Sequence, residues 1–455
     1  VDQRQHDGNR ATTTFAHIDL SAEEPELEWL LAPRIERFGL RDVEGWVGDG
    51  RFLYVSGEGG QRNVWAYDLA AREATRITDL SDELGGVELL DTDPPTALAV
   101  RTRPHESELL LFDPMTGAEL RRELVPASVS LLDAHANRSV LRLSAVDEPF
   151  RLERLVVTHE PAGWSLTRSG LAGLDDDTRA SLVHVDATRV SYPTFDEADD
   201  GTPRALHAFY LEPAEAPADP ADRRVVITAF YGGSNGYSTT ANVLAAAGIA
   251  TFSPAVRGSR GFGPAFAALN DGDLGGDEIV DLFEAATWLV ETHGYEPWQI
   301  GVHGGSHGGY ATMRALTFPP GTNGHDEVFP FGYGWSHAGF SDIVSFYEAC
   351  NIPDWVLLEA GDPATEADKL ADRSPLTHVD KLSAPILLTH GGNDWRVPVE
   401  ESRRFAQAAA LLGRPVEYVE FEGQGHGIRG FENRVRYYRA VLEFLERAAR
   451  DPNAD

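Results

Sequence analysis

Cysteine is nearly missing from this 455-residue chain: Cys350 is the only one, so no disulfide can form within it. That usage fits a reducing compartment, and a cytoplasmic setting is the expectation. Lysine is almost as scarce. Only Lys369 and Lys381 stand among 39 basic residues, against 72 acidic ones, for a formal net charge of −33. A surface so short of positive charge repels polyanions, so neither nucleic acid nor an anionic membrane is an expected partner. No apolar run reaches the roughly 20 residues that span a bilayer. The start of the chain lacks the basic, apolar and small-residue succession of a signal peptide. It begins at Val1 and not at Met, which leaves room for processing or for a fragment. An acidic, lysine-poor surface suits work in high salt, where screening removes self-repulsion. High-GC codon usage would give the same bias towards arginine.

What is present centres on Ile300-Gly301-Val302-His303-Gly304-Gly305-Ser306-His307-Gly308-Gly309-Tyr310. An apolar run enters a G-x-S-x-G pattern and a helix-forming run, from Ala311 to Leu316, leaves it. A nucleophilic serine at a sharp strand-to-helix turn needs this arrangement, because small neighbours let the turn close and raise the hydroxyl clear of the sheet. The backbone N–H of the next residue, His307, can then face a developing oxyanion. Alone the pattern is weak, since glycine-rich turns with a serine are common.

Two later segments complete a set in the order Ser, Asp, His. Pro385 to His390 reads as a buried strand that ends in a glycine turn carrying Asp394. Val416 to Phe421 reads as an alternating strand before the loop Glu422-Gly423-Gln424-Gly425-His426-Gly427. Catalytic residues of open parallel sheets gather at the carboxyl ends of the strands, where Ser306, Asp394 and His426 all fall. Serine needs a positioned base at neutral pH. His426 would take the Ser306 proton and Asp394 would hold the imidazole in the required tautomer.

Other readings of these loops fail on residue type. The glycine-rich stretches at 232–236 and 258–263 lack the lysine and the spacing of nucleotide loops. His303, His307 and His390 read as pocket-lining residues and not as a metal site. No cofactor and no metal is expected.

The first 200 residues carry short alternating runs separated by turns. Asn63-Val64-Trp65-Ala66-Tyr67-Asp68 has its counterpart in Glu108 to Asp113, and Asp113 lies 45 residues after Asp68. A period near that length with several strands per unit indicates β-propeller blades, about four of them. A plain antiparallel β-domain is the alternative. Ala22 to Glu26 reads as a solvated acidic run, and Ala214 to Asp222 as a linker. From about Thr202 the period changes to strand–helix alternation, which predicts a doubly wound, mostly parallel sheet with helices on both faces. The expected division is residues 1–200, an all-β, partial propeller, and residues 201–455, an α/β-hydrolase domain.

From roughly Ser191 onward the sequence resembles the prolyl oligopeptidase family of serine peptidases, which includes acylaminoacyl and dipeptidyl peptidases. The resemblance rests on the three segments above together with Phe230-Tyr231-Gly232-Gly233-Ser234, Val256 to Gly263, Asp394-Trp395-Arg396-Val397-Pro398, and Ser345 to Trp355. It implies that the Tyr231 hydroxyl joins the His307 N–H in the oxyanion hole. It also implies that Arg396 binds a substrate carbonyl and that Trp355 lines the pocket. Each has a plainer reading: a strand-end aromatic, a surface ion pair and core packing. His307 departs from the Asn or Tyr usual in the family, which would alter the rim of the site. Family members carry seven or eight blades, more than about 200 residues provide at this period.

The sequence therefore predicts a serine peptidase acting on short peptides through an acyl-enzyme on Ser306. An esterase or lipase-like hydrolase is the alternative, since the same triad serves both. A non-catalytic propeller binding protein is the third reading. Peptides are the expected partners, and homo-oligomerisation is left open.

Overall fold

In a computed structural model, the structure describes residues 2–450 apart from 8–9, 33–41, 49, 59–61, 82, 104, 184 and 231. The chain divides into two compact units. The first comprises residues 1–180 with the short segments 235–237 and 260–265, and the second comprises the remainder.

The first unit is built from antiparallel meanders. Three sheets have four strands each, over 42–76, 83–125 and 128–172, and a fourth of three strands spans 2–29. This is the blade unit that the 45-residue period predicts. Successive sheets bury both faces. Ala97, Ala99, Leu110 and Phe112 pack with Leu53, Val55 and Val64 of the sheet before. The intervening Leu98, Val100, Leu109 and Leu111 pack with Leu141, Leu143 and Leu155 of the sheet after. Strand alternation alone produces this two-sided core. The repeated aspartates are turn caps: Asp68 Oδ1 accepts from the N–H of Ala70 and of Ala71, both at 2.9 Å, and Asp113 Oδ1 accepts from Met115 N–H at 2.7 Å.

The second unit holds one eight-stranded sheet. Its strands are β1 (Val185–Glu197), β2 (Pro203–Pro213), β3 (Val225–Thr228), β4 (Ala250–Pro254), β5 (Ile300–Gly305), β6 (Tyr333–His337), β7 (Ile386–Gly391) and β8 (Val416–Phe421). Their spatial order is β1-β2-β4-β3-β5-β6-β7-β8. β1 and β2 run antiparallel and β2 is antiparallel to β4, whereas β3 through β8 are mutually parallel. This is the α/β-hydrolase sheet.

Two sequence expectations are corrected here. β1 lies before residue 200 yet pairs along its length with β2, so it belongs to the sheet of the second unit. Ala214 to Asp222 joins β2 to β3 within that same sheet and is not a linker between units.

The connecting helices include α1 (Thr239–Ala246), α2 (Asp277–His293), α3 (His307–Thr317), α4 (Ile343–Ala349), α5 (Pro353–Glu359), α6 (Glu400–Leu411) and α7 (Phe431–Ala448). α2 starts with Asp277 and Glu278 and stops at Gly294, which takes φ 69°, the left-handed form that ends helices without a Cβ penalty. Val225, Ile227, Ile300, Val302, Ile386 and Leu388 face α2 and α3. The alternate residues Val226, Tyr333, Trp335 and Leu387 meet Tyr437, Val441, Phe444 and Leu445 of α7. Burial of each of those four α7 side chains contributes about 1.5–3 kcal/mol. Among the described residues no helix is long and apolar enough to cross a membrane.

Candidate active site

Parallel pairing of β5, β6, β7 and β8 brings their carboxyl ends to one edge of the sheet. Ser306 directly follows β5, Asp394 follows β7 and His426 follows β8. Ser306 has φ 58° and ψ −118°, a conformation that L-residues rarely adopt. The tight turn around it requires glycine. A Cβ at Gly304 would stand 2.4 Å from the Gly308 backbone, and one at Gly308 would stand 2.7 Å from Phe230 O. The turn is tied to the next strand by Ser306 N–H, which donates to His337 O at 2.8 Å.

Asp394 and His426 meet directly: His426 Nδ1–H donates to Asp394 Oδ2 at 2.8 Å. The Asp394 side chain is inaccessible, while that of His426 keeps 35% of its exposure. The other carboxylate oxygen, Oδ1, accepts from Arg396 N–H at 2.9 Å and Val397 N–H at 3.1 Å. Burial alone would raise the Asp394 pKa. The bonds from His390, His426 and Val397 outweigh it and hold the carboxyl well below the usual carboxylate range. Among the described residues no hydrogen bond joins Ser306 Oγ to His426; the two share the edge of the sheet. His337 ends β6, the strand beside β5, and its backbone oxygen holds Ser306. Its ring is within electrostatic reach of both His426 and Asp394.

Residues 235–451 match the model of the prolyl oligopeptidase family. Over 425 residues the chain is 29% identical to dipeptidyl aminopeptidase BIII of Pseudoxanthomonas mexicana, spanning 87% of this chain and 58% of that protein. Over 200 residues it is 32% identical to dipeptidyl peptidase family member 6 of Caenorhabditis elegans, spanning 42% and 26%. The chain thus spans little more than half, or less, of these relatives' lengths. A solved puromycin hydrolase superposes with a TM-score of 0.77 at 20% identity, covering 99% of this chain and 68% of the other. An acylaminoacyl peptidase of Pyrococcus horikoshii superposes with a TM-score of 0.76 at 20% identity, covering 100% and 72%. Those two likenesses concern the fold, a β-propeller-type region followed by an α/β hydrolase.

The other site residues named from the sequence fare differently. Tyr231 lies outside the described residues. His307 does not shape the rim: its side chain turns inward, 3% exposed, and Nε2–H donates to Glu278 Oε2 at 3.0 Å. Trp355 is half-buried on α5 and meets the rings of His307 at 5.2 Å and Phe340 at 6.1 Å, so packing accounts for part of its surface. Arg396 is exposed beside Trp395 and forms no ion pair among the described residues, so the surface ion-pair reading loses its support. Its guanidinium acts electrostatically on the Cys350 thiol, just past α4. Arg257, read with the family's arginine–glycine loop, is buried by Asp281 at 2.9 Å, Asp277 at 3.2 Å and Asp196 at 3.3 Å.

His303, His307 and His390 do not converge. His303 stacks on Trp335 at 3.5 Å and His307 pairs with Glu278. Sequence reasoning missed what His390 does. Its Nε2–H points at Asp394 Oδ2, 3.3 Å away, and at Val397 O, 3.0 Å away, while Nδ1 accepts from Ser402 Oγ at 2.7 Å. Its one sequence signal is its place four residues before Asp394 at a strand end.

Proposed function

We propose that the protein is a serine peptidase acting on short peptides, with Ser306 as nucleophile, His426 as general base and Asp394 as the group that orients it. The observation that carries the reading is the 2.8 Å Asp394–His426 bond on the sheet edge where Ser306 occupies a left-handed elbow. In this reading Nδ1–H of His426 is committed to Asp394, which leaves Nε2 unprotonated to accept the Ser306 proton. Ser306 Oγ attacks the peptide carbonyl. The oxyanion is received by the His307 N–H, with Tyr231 as the second donor. His426 then returns the proton to the departing amine, and water hydrolyses the acyl-enzyme. Arg396, free of carboxylate partners, binds a substrate carbonyl. One relative is called a dipeptidyl aminopeptidase and one structural neighbour an acylaminoacyl peptidase, so cleavage near a peptide's N-terminus is the class proposed here. A reducing, cytoplasmic setting accords with the single cysteine.

The test has two parts. A fluorophosphonate probe should label the protein, and Ser306→Ala should lose both the label and turnover. A panel of free and acyl-capped dipeptide amides, set against short-chain esters, then assigns the substrate. Labelling that survives in Ser306→Ala overturns the nucleophile. Esters hydrolysed far faster than every amide overturn the peptidase reading.

A further inference from the structure

The residue after the elbow serine carries a second role, through its side chain. His307 opens α3 and its ring is enclosed: Phe230 lies over it at 4.0 Å between centroids, and Trp355 closes the edge at 5.2 Å. Within that enclosure Nε2–H donates to both oxygens of Glu278, at 3.0 and 3.2 Å. Glu278 is 1% exposed and is itself fixed, because its Oε1 accepts from Gly275 N–H at 3.0 Å. A second buried carboxylate, Glu359 at the end of α5, acts on the same ring and is held by Asn270 Nδ2–H at 3.0 Å. Asp271 adds to the negative field around Glu359. A carboxylate buried this deeply needs a charged partner. Arg314 and Arg373 lie on the other side of the Gly275 turn, where Arg314 Nε–H donates to Gly275 O at 3.1 Å, and Tyr310 stands 6.3 Å from the ring, but the cationic side chain that hydrogen-bonds Glu278 directly is His307.

We propose that His307 is a positioning residue whose buried imidazolium, clamped to Glu278 of α2 and faced by Glu359 of α5, fixes the first turn of α3 and hence the backbone N–H offered to the oxyanion. The inference rests on the peptidase reading above. Burial opposes charging of the ring, but Glu278 and then Glu359 outweigh it, so the His307 pKa is raised above the ordinary 6.5. The sign follows. A raised folded-state pKa gives stability that is fully present below the unfolded value and is lost as pH rises through the folded one. The clamp therefore holds below the folded-state pKa of His307 and opens as pH rises through it, where activity should fall. This alkaline limb is separate from any titration of His426, because the His307 ring is enclosed by Phe230 and Trp355 and pairs with Glu278.

The test uses the full chain. In ¹⁵N-histidine spectra of the unmodified protein, assigned by difference from His307→Asn, the His307 ring should carry protons on both nitrogens at pH 7. On a peptide p-nitroanilide, His307→Asn and Glu278→Gln should each lower kcat by about 10- to 100-fold, the loss expected from misplacing a transition-state donor. KM should change little, and the alkaline limb of the pH profile should disappear. A neutral His307 ring at pH 7 overturns the proposal even where a variant fails to fold. So does a folded variant with unchanged kcat and an intact alkaline limb, or one whose loss lies wholly in KM. Absence of phosphonate labelling in the unmodified protein would instead sink the peptidase reading. A labelled, active enzyme indifferent to His307→Asn sinks this inference alone.

Discussion

His390 Nε2 lies 3.3 Å from the same Asp394 oxygen that accepts from His426. Asp394 is thus held by two imidazoles on Oδ2 and two backbone N–H groups on Oδ1. This explains how a carboxylate with no exposed side-chain surface stays ionised at the pH where it must stabilise an imidazolium. His390→Gln removes one of the four donors. Hydrogen bonds to charged groups contribute about 1.5–3 kcal/mol, and the remaining donors compensate in part, so kcat should fall about tenfold with KM little changed. Asp394→Asn removes the charge itself and should cost on the order of 10⁴ in kcat. Steady-state kinetics on a peptide amide check both. Equal losses for the two variants would show that His390 acts on more than the carboxylate.

The Ser306 elbow makes a prediction about stability independent of chemistry. A non-glycine residue at φ 58°, ψ −118° stores roughly 1–3 kcal/mol of backbone strain. Ser306→Ala keeps that strain and Ser306→Gly relieves it. Both variants should be inactive, and the glycine variant should unfold at higher denaturant, by about 1 kcal/mol after its extra unfolded-state freedom is allowed for. Equilibrium guanidinium unfolding decides it. Identical midpoints would mean that the turn relaxes around alanine at no cost.

Arg396 separates peptides from esters. Its guanidinium can donate two parallel bonds to a backbone carbonyl that a simple aryl ester lacks. Arg396→Ala should weaken kcat/KM on peptides by about 1.5–3 kcal/mol and leave p-nitrophenyl ester hydrolysis almost untouched. Equal losses on both substrates would make Arg396 a structural residue of the Asp394 loop.

The elements that could be read from the sequence are those whose pattern is local. The runs leading into Ser306, Asp394 and His426 are apolar or alternating over five or six residues and end in glycine turns, so the sheet edge was visible in them. β6 was not. Its sequence, Tyr333-Gly334-Trp335-Ser336-His337, mixes polar and apolar residues without alternation. Gly334 is there because α3 presses on it: a Cβ would stand 2.5 Å from Leu316 Cδ1. The inward turn of His307 was equally hidden, since its partner Glu278 lies 29 residues away on another helix. β1 is hidden for another reason: its alternation matches that of the meanders before it. Only its pairing with β2 assigns it.

The acid stability of the second unit should be set by two rings under the sheet edge. His303 Nδ1–H donates to Trp335 O at 2.8 Å, and burial pushes its pKa down to about 4. Burial, reinforced by His390, His303 and His426, pushes His337 down to about 3. Both are neutral in the fold and take up a proton on unfolding, near the free value of about 6.5. A depressed folded-state pKa gives stability that is present above the unfolded value and lost as pH falls through the window to the folded one. Stability should therefore decline from about pH 6.5 towards pH 4, with His337 extending the decline to about pH 3. His303 and His337 are half-buried as residues, so the combined loss expected between pH 7 and pH 5 is on the order of 1–3 kcal/mol. His303→Phe keeps an aromatic ring against Trp335 but cannot take up a proton. It should lower stability at pH 7, through the lost bond to Trp335 O, and flatten the acid decline. Guanidinium midpoints at pH 7, 6 and 5 measure both effects, and an unchanged slope in His303→Phe would assign the acid sensitivity to other groups.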